Sequence, residues 1–263
     1  MKVLEISSSK NEYYKNISKL KQKKYRHRAS QFLIEGIKFV KHALEKGEEM
    51  SQLVYCSDLI NESILESILR TIPDRVQVIS MSKNIFEDLS DTVNSQGVIA
   101  VVQMRKQVLT LDPKGLYLAL DQIQDPGNLG TMIRTADAAG FSGVIYNKGT
   151  VDPYSEKVLR STMGSIFSIP LTTCEDLSEF LRDAKKQGVQ VLCTSLEISV
   201  DYSQVDYKQG SIIVIGNESQ GISTEVFNES TQRIKIPIYG EAESLNAAIA
   251  AAIIMYEATK QRR

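Results

Sequence analysis

The stretch Leu116-Tyr117-Leu118-Ala119-Leu120-Asp121-Gln122-Ile123-Gln124-Asp125-Pro126-Gly127-Asn128-Leu129-Gly130, running on to Arg134 and Gly140, decides the fold. Leu116 to Leu120 is continuously apolar rather than alternating, which predicts a strand covered on both faces, as in a parallel sheet. Asp125-Pro126-Gly127-Asn128 predicts a turn, because proline presets φ while glycine and asparagine tolerate positive φ. Leu129, Met132, Ile133 and Ala136 then recur at helical spacing, with Arg134 one step off the apolar stripe. A strand, a turn with Asn128 at its tip and a helix carrying one arginine suit a reaction-site edge. They suit any nucleotide-binding strand-turn-helix unit equally.

Outward from this unit the alternation continues. On the carboxyl side it predicts a strand at Gly143 to Asn147 and a helix opened by Asp152-Pro153 as N-cap and first residue. A helix at Leu177 to Lys186 and strands at Val189 to Thr194 and Ser211 to Ile215 follow. Gly216-Asn217-Glu218-Ser219-Gln220-Gly221 is a glycine-bracketed loop, and Ile234 to Ile238 a last short strand. Ser244 caps a closing helix from Leu245 to Lys260. On the amino side, strands at Phe32 to Gly36, Gln52 to Cys56, Val76 to Ser80 and Val98 to Val102 alternate with helices at Ile37 to Leu44, Glu62 to Arg70 and Ser82 to Leu89. That pattern predicts a compact α/β domain over residues 1–104. Met104 to Gly115 breaks the pattern, giving a linker at 105–114 and a second α/β domain at 115–263.

Formal net charge over the 263 residues is −1, so the overall balance does not identify a partner, but its distribution does. Seven lysines and arginines fall from Lys15 to Arg28, with no acid until Glu35. A solvated helix face would look similar; the local imbalance favours a polyanion, gathered by Coulomb attraction and counterion release. Tyr25 and His27 add groups able to stack on unpaired bases. The candidate contacts are Lys19, Lys23, Lys24, Arg26 and Arg28. Cys56, Cys174 and Cys193 are scattered, with no Cys-x-x-Cys or Cys/His cluster, so neither a metal site nor a disulfide framework is expected. The start has no apolar signal segment, and the longest apolar tract, Ala247 to Tyr256, is too short to span a bilayer. A cytoplasmic location without membrane contact is the expectation.

Three loops follow strand ends, at Asn128 to Arg134, Gly216 to Gly221 and Ile236 to Asn246. In open parallel sheets such loops converge on a ligand. None carries the dinucleotide or P-loop glycine fingerprint, which argues against a nicotinamide oxidoreductase. His27 and His42 lie away from these loops, and neither is a convincing general base.

Asn128-x-Gly130-x-x-x-Arg134-x-Ala136-x-x-x-Gly140 resembles motif 1 of the SpoU (TrmH-like) family of RNA ribose 2′-O-methyltransferases, of the SPOUT class. Gly216-Asn217-Glu218-x-x-Gly221 resembles motif 2, and Ile236-Pro237-Ile238 with Glu243-Ser244-Leu245-Asn246-Ala247-Ala248 resembles motif 3. Arg160 to Phe167 is similar to a family stretch between motifs 1 and 2. The amino-terminal half, through its lysine-rich tract, Phe32-Leu33-Ile34-Glu35-Gly36 and Ser95-Gln96-Gly97-Val98, is similar to the L30e-like substrate-binding domain of many members. One departure, Ala247-Ala248 in place of the common Val-Ser, leaves Ser244 and Asn246 intact.

The resemblance implies S-adenosylmethionine as methyl donor, a carboxyl-terminal trefoil knot on the parallel sheet, and a homodimer whose active site uses both subunits. By motif position, Gly216, Ile236 and Leu245 line the cofactor site, joined by Thr194 and Leu196 just past a strand end. Arg134 is the proposed catalytic group. An arginine is a poor base, since its pKa exceeds about 12. It binds the adjoining phosphate and stabilises the developing alkoxide, transferring the proton only if desolvated. Asn128, Ser244 and Asn246 hold ribose, phosphate or Arg134, and Glu218 orients Arg134 or Asn128. The implied substrate is structured RNA, 23S ribosomal RNA ahead of transfer RNA. A rival is a ribosome-assembly factor that keeps the fold without the chemistry; intact Asn128 and Arg134 speak against it.

Overall fold

A computed structural model of the protein describes residues 2–105, 109–195 and 199–263. The chain forms two compact units, Met1–Lys106 with Tyr154–Leu159, and Gln107–Pro153 with Arg160–Arg263.

In the first unit the elements are β1 (Val3–Ile6), α1 (Glu12–Lys19), α2 (Lys23–Ala29), β2 (Gln31–Glu35), α3 (Ile37–Glu45), β3 (Met50–Tyr55), α4 (Glu62–Leu69), β4 (Gln77–Met81), α5 (Lys83–Leu89) and β5 (Val98–Gln103). The sheet runs β1-β4-β3-β5-β2, with β5 antiparallel to both its neighbours and the other pairs parallel. The basic tract is largely helical, in α1 and α2. Its apolar residues Ile17 and Leu20, with Tyr14 just before the tract, join Val54, Ile79, Phe86 and Ile99 in one core, which leaves Lys15, Lys19, Lys23 and Lys24 outside. β1 is too short and too exposed to stand out from the sequence.

The second unit contains β6 (Leu116–Asp121), α6 (Pro126–Ala138), β7 (Gly143–Asn147), the end of α7 (Glu156–Thr162, whose residues up to Leu159 belong to the first unit), β8 (Leu171–Cys174), α8 (Leu177–Lys186), β9 (Gln190–Thr194), β10 (Val200–Asp201), β11 (Ser211–Gly216), α9 (Thr224–Phe227), β12 (Gln232–Lys235) and α10 (Ala247–Lys260). All pairs in its seven-stranded sheet, β10-β12-β9-β11-β6-β7-β8, are parallel. Every residue of the adjacent strands β6 and β11 is buried, which accounts for their unbroken apolar character. Because the strands are parallel, the carboxyl ends of β6, β9, β11 and β12 share one edge.

Helix boundaries differ from expectation at three places. α6 begins at Pro126, capped by Asp125, whose Oδ1 accepts the Asn128 N–H at 2.7 Å; Asn128 therefore sits in the first helical turn rather than at a turn tip. α7 begins at Glu156, with Asp152 and Pro153 buried ahead of it. α10 is capped by Asn246 instead of Ser244: the Asn246 Oδ1 accepts from Ala248 N (2.9 Å) and Ile249 N (3.2 Å). The last strand also stops at Lys235, just before Ile236-Pro237, since proline has no N–H for the ladder. α10 packs along α6 and β11, burying Ala248, Ala251, Ile254, Met255 and Ala258. Small residues on this face let the helix approach closely. Among the described residues no helix is long and apolar enough to cross a membrane.

Candidate functional site

Asp121 and Gly216 lie opposite one another at the carboxyl ends of β6 and β11. Asp121 is only 1% exposed, and its carboxylate accepts from Asn147 Nδ2 (2.6 Å) and from both the N–H and hydroxyl of Ser223 (2.7 Å each). Such donors offset the cost of burying the group, and here they tie three chain segments to one point. Gln122, at φ 59, turns the chain out of β6; its carbonyl accepts from Asn217 Nδ2 at 2.9 Å.

Gly216 is required by close approach. A Cβ there would lie 2.2 Å from the carbonyl carbon of Gly221 and 2.3 Å from Ile222 N, closer than any side-chain carbon can sit. Without it the loop closes on itself: Asn217 and Gly221 exchange both backbone hydrogen bonds at 2.9 Å, and the Asn217 side chain accepts from Ser219 N and Gln220 N.

That closed loop presents Glu218 to the start of α6. Glu218 accepts from Gln124 N (3.1 Å), Asp125 N (3.1 Å) and Asn128 Nδ2 (2.9 Å). Partial burial pushes its carboxyl up, but the hydrogen bonds from Asn128 and the backbone amides outweigh that and hold it below the usual range. Asn128 uses its other end too: its Oδ1 accepts from Asn246 Nδ2 at 2.9 Å, while Asn246 caps α10. One hydrogen-bonded chain, Glu218 to Asn128 to Asn246, thus joins the three loops read as separate motifs.

Beside this chain lies a cavity of about 580 Å³, of ligand-pocket size. Gly216, Ile236, Leu245 and Thr194 line it, as do Ser244 and Glu218. Leu196 lies outside the described residues. Sequence reasoning missed Ile215, Asn217, Phe227 and Ile238 in the wall; Asn217 and Ile238 lie inside the motifs and Ile215 beside one, whereas Phe227, six residues past Gly221, gave no such signal. Gly216, polar Ser219 and Ser244, and apolar Ile236, Ile238 and Leu245 together make a wall that fits a ligand with both apolar and polar parts. The Thr194 hydroxyl is spent on the Val214 carbonyl at 3.1 Å, so it contributes wall rather than a free donor.

Arg134 is exposed, outside the cavity wall, and has no hydrogen-bond or ion-pair partner among the described residues. Six residues beyond Asn128, it stands about 9 Å further along α6 and about 120° around it. The hydrogen-bonded chain therefore does not include it.

In the first unit, Lys19, Lys23, Lys24 and Arg28 are exposed. Arg26 is different: it is 5% exposed, and its guanidinium donates to the carbonyls of Leu20 (2.9 Å) and Lys21 (2.7 Å), closing the turn between α1 and α2. Its charge serves the fold and is removed from the basic surface. Burial pushes the thiols of Cys174 and Cys193 up to about 11, so they are not nucleophiles at neutral pH. Among the described residues no cluster of three or more His, Cys, Asp or Glu could hold a metal ion.

Residues 115–256 match the SpoU rRNA Methylase family, and residues 11–100 match the MRM3-like substrate binding domain. The chain is 36% identical over 252 residues to the 23S rRNA (guanosine(2553)-2′-O)-methyltransferase RlmP of Bacillus subtilis, covering 96% of this chain and 98% of that protein. The AdoMet-bound rRNA methyltransferase of Sinorhizobium meliloti superposes with a TM-score of 0.88 at 36% identity, over 98% of each chain. The SpoU methyltransferase AviRb of Streptomyces viridochromogenes, in complex with AdoMet, gives 0.88 at 30% identity over 96% of this chain and 98% of that one.

Proposed function

The chain belongs to the SpoU rRNA methylase family, and from that premise we propose that it transfers the methyl group of S-adenosylmethionine to a ribose 2′-hydroxyl of 23S ribosomal RNA. The observation that carries this is the hydrogen-bonded chain Glu218–Asn128–Asn246, which brings three distant motifs to one sheet edge beside a cofactor-sized cavity.

The cofactor, when bound, supplies a methyl group already activated by its sulfonium charge. Gly216 and Ile236 hold it through backbone groups, and Leu245 and Thr194 close the wall. The protein's remaining task is alignment and charge. Aligning two reactants in one site is worth up to about 7–11 kcal/mol of barrier. Asn128, fixed from both ends, and Asn246 hold the ribose; Ser244, exposed at the cavity rim, faces the same edge. Glu218 positions Asn128. A 2′-hydroxyl becomes nucleophilic as its proton leaves, and Arg134 offsets the negative charge that develops on that oxygen and on the adjoining phosphate.

Arg134 stands off the cavity of its own chain, so the active site is completed across a homodimer, with the arginine of one copy serving the cavity of the other. Exposed Leu245, Ile249 and Tyr256 support this pairing. Ile249 and Tyr256, seven residues apart, share one face of α10, with Leu245 just ahead of its cap. The helix is apolar on nearly every side, and such helices are covered on all faces. The chain returns from β12, far across the sheet, to pack α10 beside α6, and we propose that this return threads the trefoil knot of SPOUT folds. The boundaries near 104 and 115 separate an RNA-binding unit from the catalytic one, and Lys19, Lys23, Lys24 and Arg28 contact RNA phosphate. Acting on ribosomal RNA, the enzyme works in the cytoplasm.

Mapping ribose methylation across 23S rRNA with and without the gene tests this. One site is expected to be lost on deletion, restored by wild type and not by Arg134→Ala; unchanged maps would identify a non-catalytic RNA-binding protein.

A further inference from the structure

In the first unit Glu35, the last residue of β2, gathers an entire loop around one carboxylate. Its Oε1 accepts from the hydroxyls of Ser90 (2.6 Å), Thr92 (2.7 Å) and Ser95 (2.7 Å), and its Oε2 from Asp91 N (3.2 Å). The loop is held again on either side. Gln96 Oε1 accepts from Ile37 N at 2.8 Å, capping α3, and Gly97, at φ +72, has no room for a Cβ against Leu59 and Ile60. On the other side Lys21 pairs with Asp91 at 2.9 Å and donates to the Asp88 carbonyl at 3.2 Å. Lys21 lies between Lys19 and Lys23 of the basic tract, so this loop and the exposed lysines are neighbours within one unit.

The tip is left outward. Val93 is 100% exposed and Asn94 is exposed, although the residues around them are fixed. The two acids cost the surface little in repulsion toward a polyanion, since Glu35 is turned inward onto four donors and Asp91 is matched by Lys21. A loop ordered before binding loses less entropy on binding. Phosphate contacts set register, whereas neutral groups beside them read bases. Val93 offers an apolar surface to a base face, and the Asn94 carboxamide offers a donor and an acceptor to a base edge.

We propose that Glu35 is a positioning residue for the substrate: it fixes the loop 90–97 as a rigid reading surface for one unpaired nucleotide of the RNA, alongside lysines that take the flanking phosphates. This rests on the RNA-methylating function above and adds a specificity element to it.

The test uses the full-length protein and 23S rRNA from a strain lacking the gene, with RNA Kd, its salt dependence, kcat and KM measured together. Val93→Ala/Asn94→Ala changes only exposed tip atoms and is expected to raise Kd and KM about tenfold, leaving kcat, cofactor affinity and the salt slope unchanged. Lys23→Ala/Lys24→Ala is expected to weaken binding and lower the salt slope by about 2. Glu35→Ala is expected to match the tip variant in KM and to lose hydrogen-exchange protection over 90–97 alone; Glu35→Asp should recover part of the affinity. Unchanged Kd and KM in the tip variant, with methyl transfer intact, would overturn the loop's role and leave the reaction standing. RNA binding by wild type without methyl transfer would refute the reaction, and the Kd comparison would still decide the loop.

Discussion

Glu35 and Glu218 each hold a loop at a strand end through one carboxylate, yet they recruit different donors. Around Glu35 the donors are three hydroxyls and one amide of a single loop, so the result is one shaped surface. Around Glu218 they are two backbone amides and the carboxamide of Asn128, and that carboxamide passes the connection on to Asn246. Asparagine can do this because it donates and accepts at once. A hydroxyl cluster finishes a loop, whereas a carboxamide relay assembles a site from distant parts of the chain. Losses at the second cluster should therefore appear in the chemical step, and losses at the first in substrate binding.

The largest expected effect is at the relay. Asn128→Ala removes both links and should lower single-turnover methyl transfer by about 10²-fold or more, in line with the loss of a group that aligns reactants; RNA affinity should stay within about twofold. A KM effect with intact kcat would place the relay on the binding side and erase the contrast with Glu35. Gly216→Ala comes next. Its Cβ meets backbone rather than a movable side chain, so the loop must shift, at about 1–3 kcal/mol. Calorimetry should show cofactor affinity reduced at least about tenfold, with RNA affinity retained.

pH sharpens the comparison further. The folded state holds the Glu218 carboxyl below its ordinary value of 4.5. The stability it contributes is then present above that value and lost as pH falls through the lower folded one. Tm measured downward from pH 5 should drop more steeply for wild type than for Glu218→Gln, whose amide does not titrate; parallel curves would show that the carboxylate bears no charge-dependent load. The smallest effect is at Lys21, whose ion pair with Asp91 is partly exposed. Lys21→Ala should cost at most about 1 kcal/mol in urea unfolding.

Much of this architecture was legible because it is periodic. The buried run Leu116 to Leu120, the strand ends at Asn147 and Thr194, and the helix Leu177 to Lys186 stand where apolar patterning puts them. β8, with its Leu-Thr-Thr-Cys sequence, escaped notice because it is a sheet-edge strand too polar to read as buried. Ser244 and Asn246 are both good caps, and only the backbone geometry after Leu245 selects Asn246. Arg26 is indistinguishable from its neighbours in a run of basic residues; what removes it from the surface is a turn whose carbonyls need a donor. For the site, the order of the three loops was visible, and the four described cofactor candidates do line one cavity. The relay itself was not visible, because hydrogen bonds between Asn128, Glu218 and Asn246 span residues far apart in sequence and depend on a strand order that places β6 beside β11.

The most direct measurement follows the label from S-adenosylmethionine carrying a tritiated methyl group into 23S rRNA from the deletion strain, followed by complete alkaline hydrolysis. A methyl on a ribose 2′-oxygen blocks cleavage of the adjoining phosphodiester, so label is expected in alkali-resistant dinucleotides with wild type and is expected to be nearly absent with Asn128→Ala. Label released as mononucleotide would mean that the methyl group goes to a base, and equal labelling by the variant would mean that the three loops do not form the reacting site.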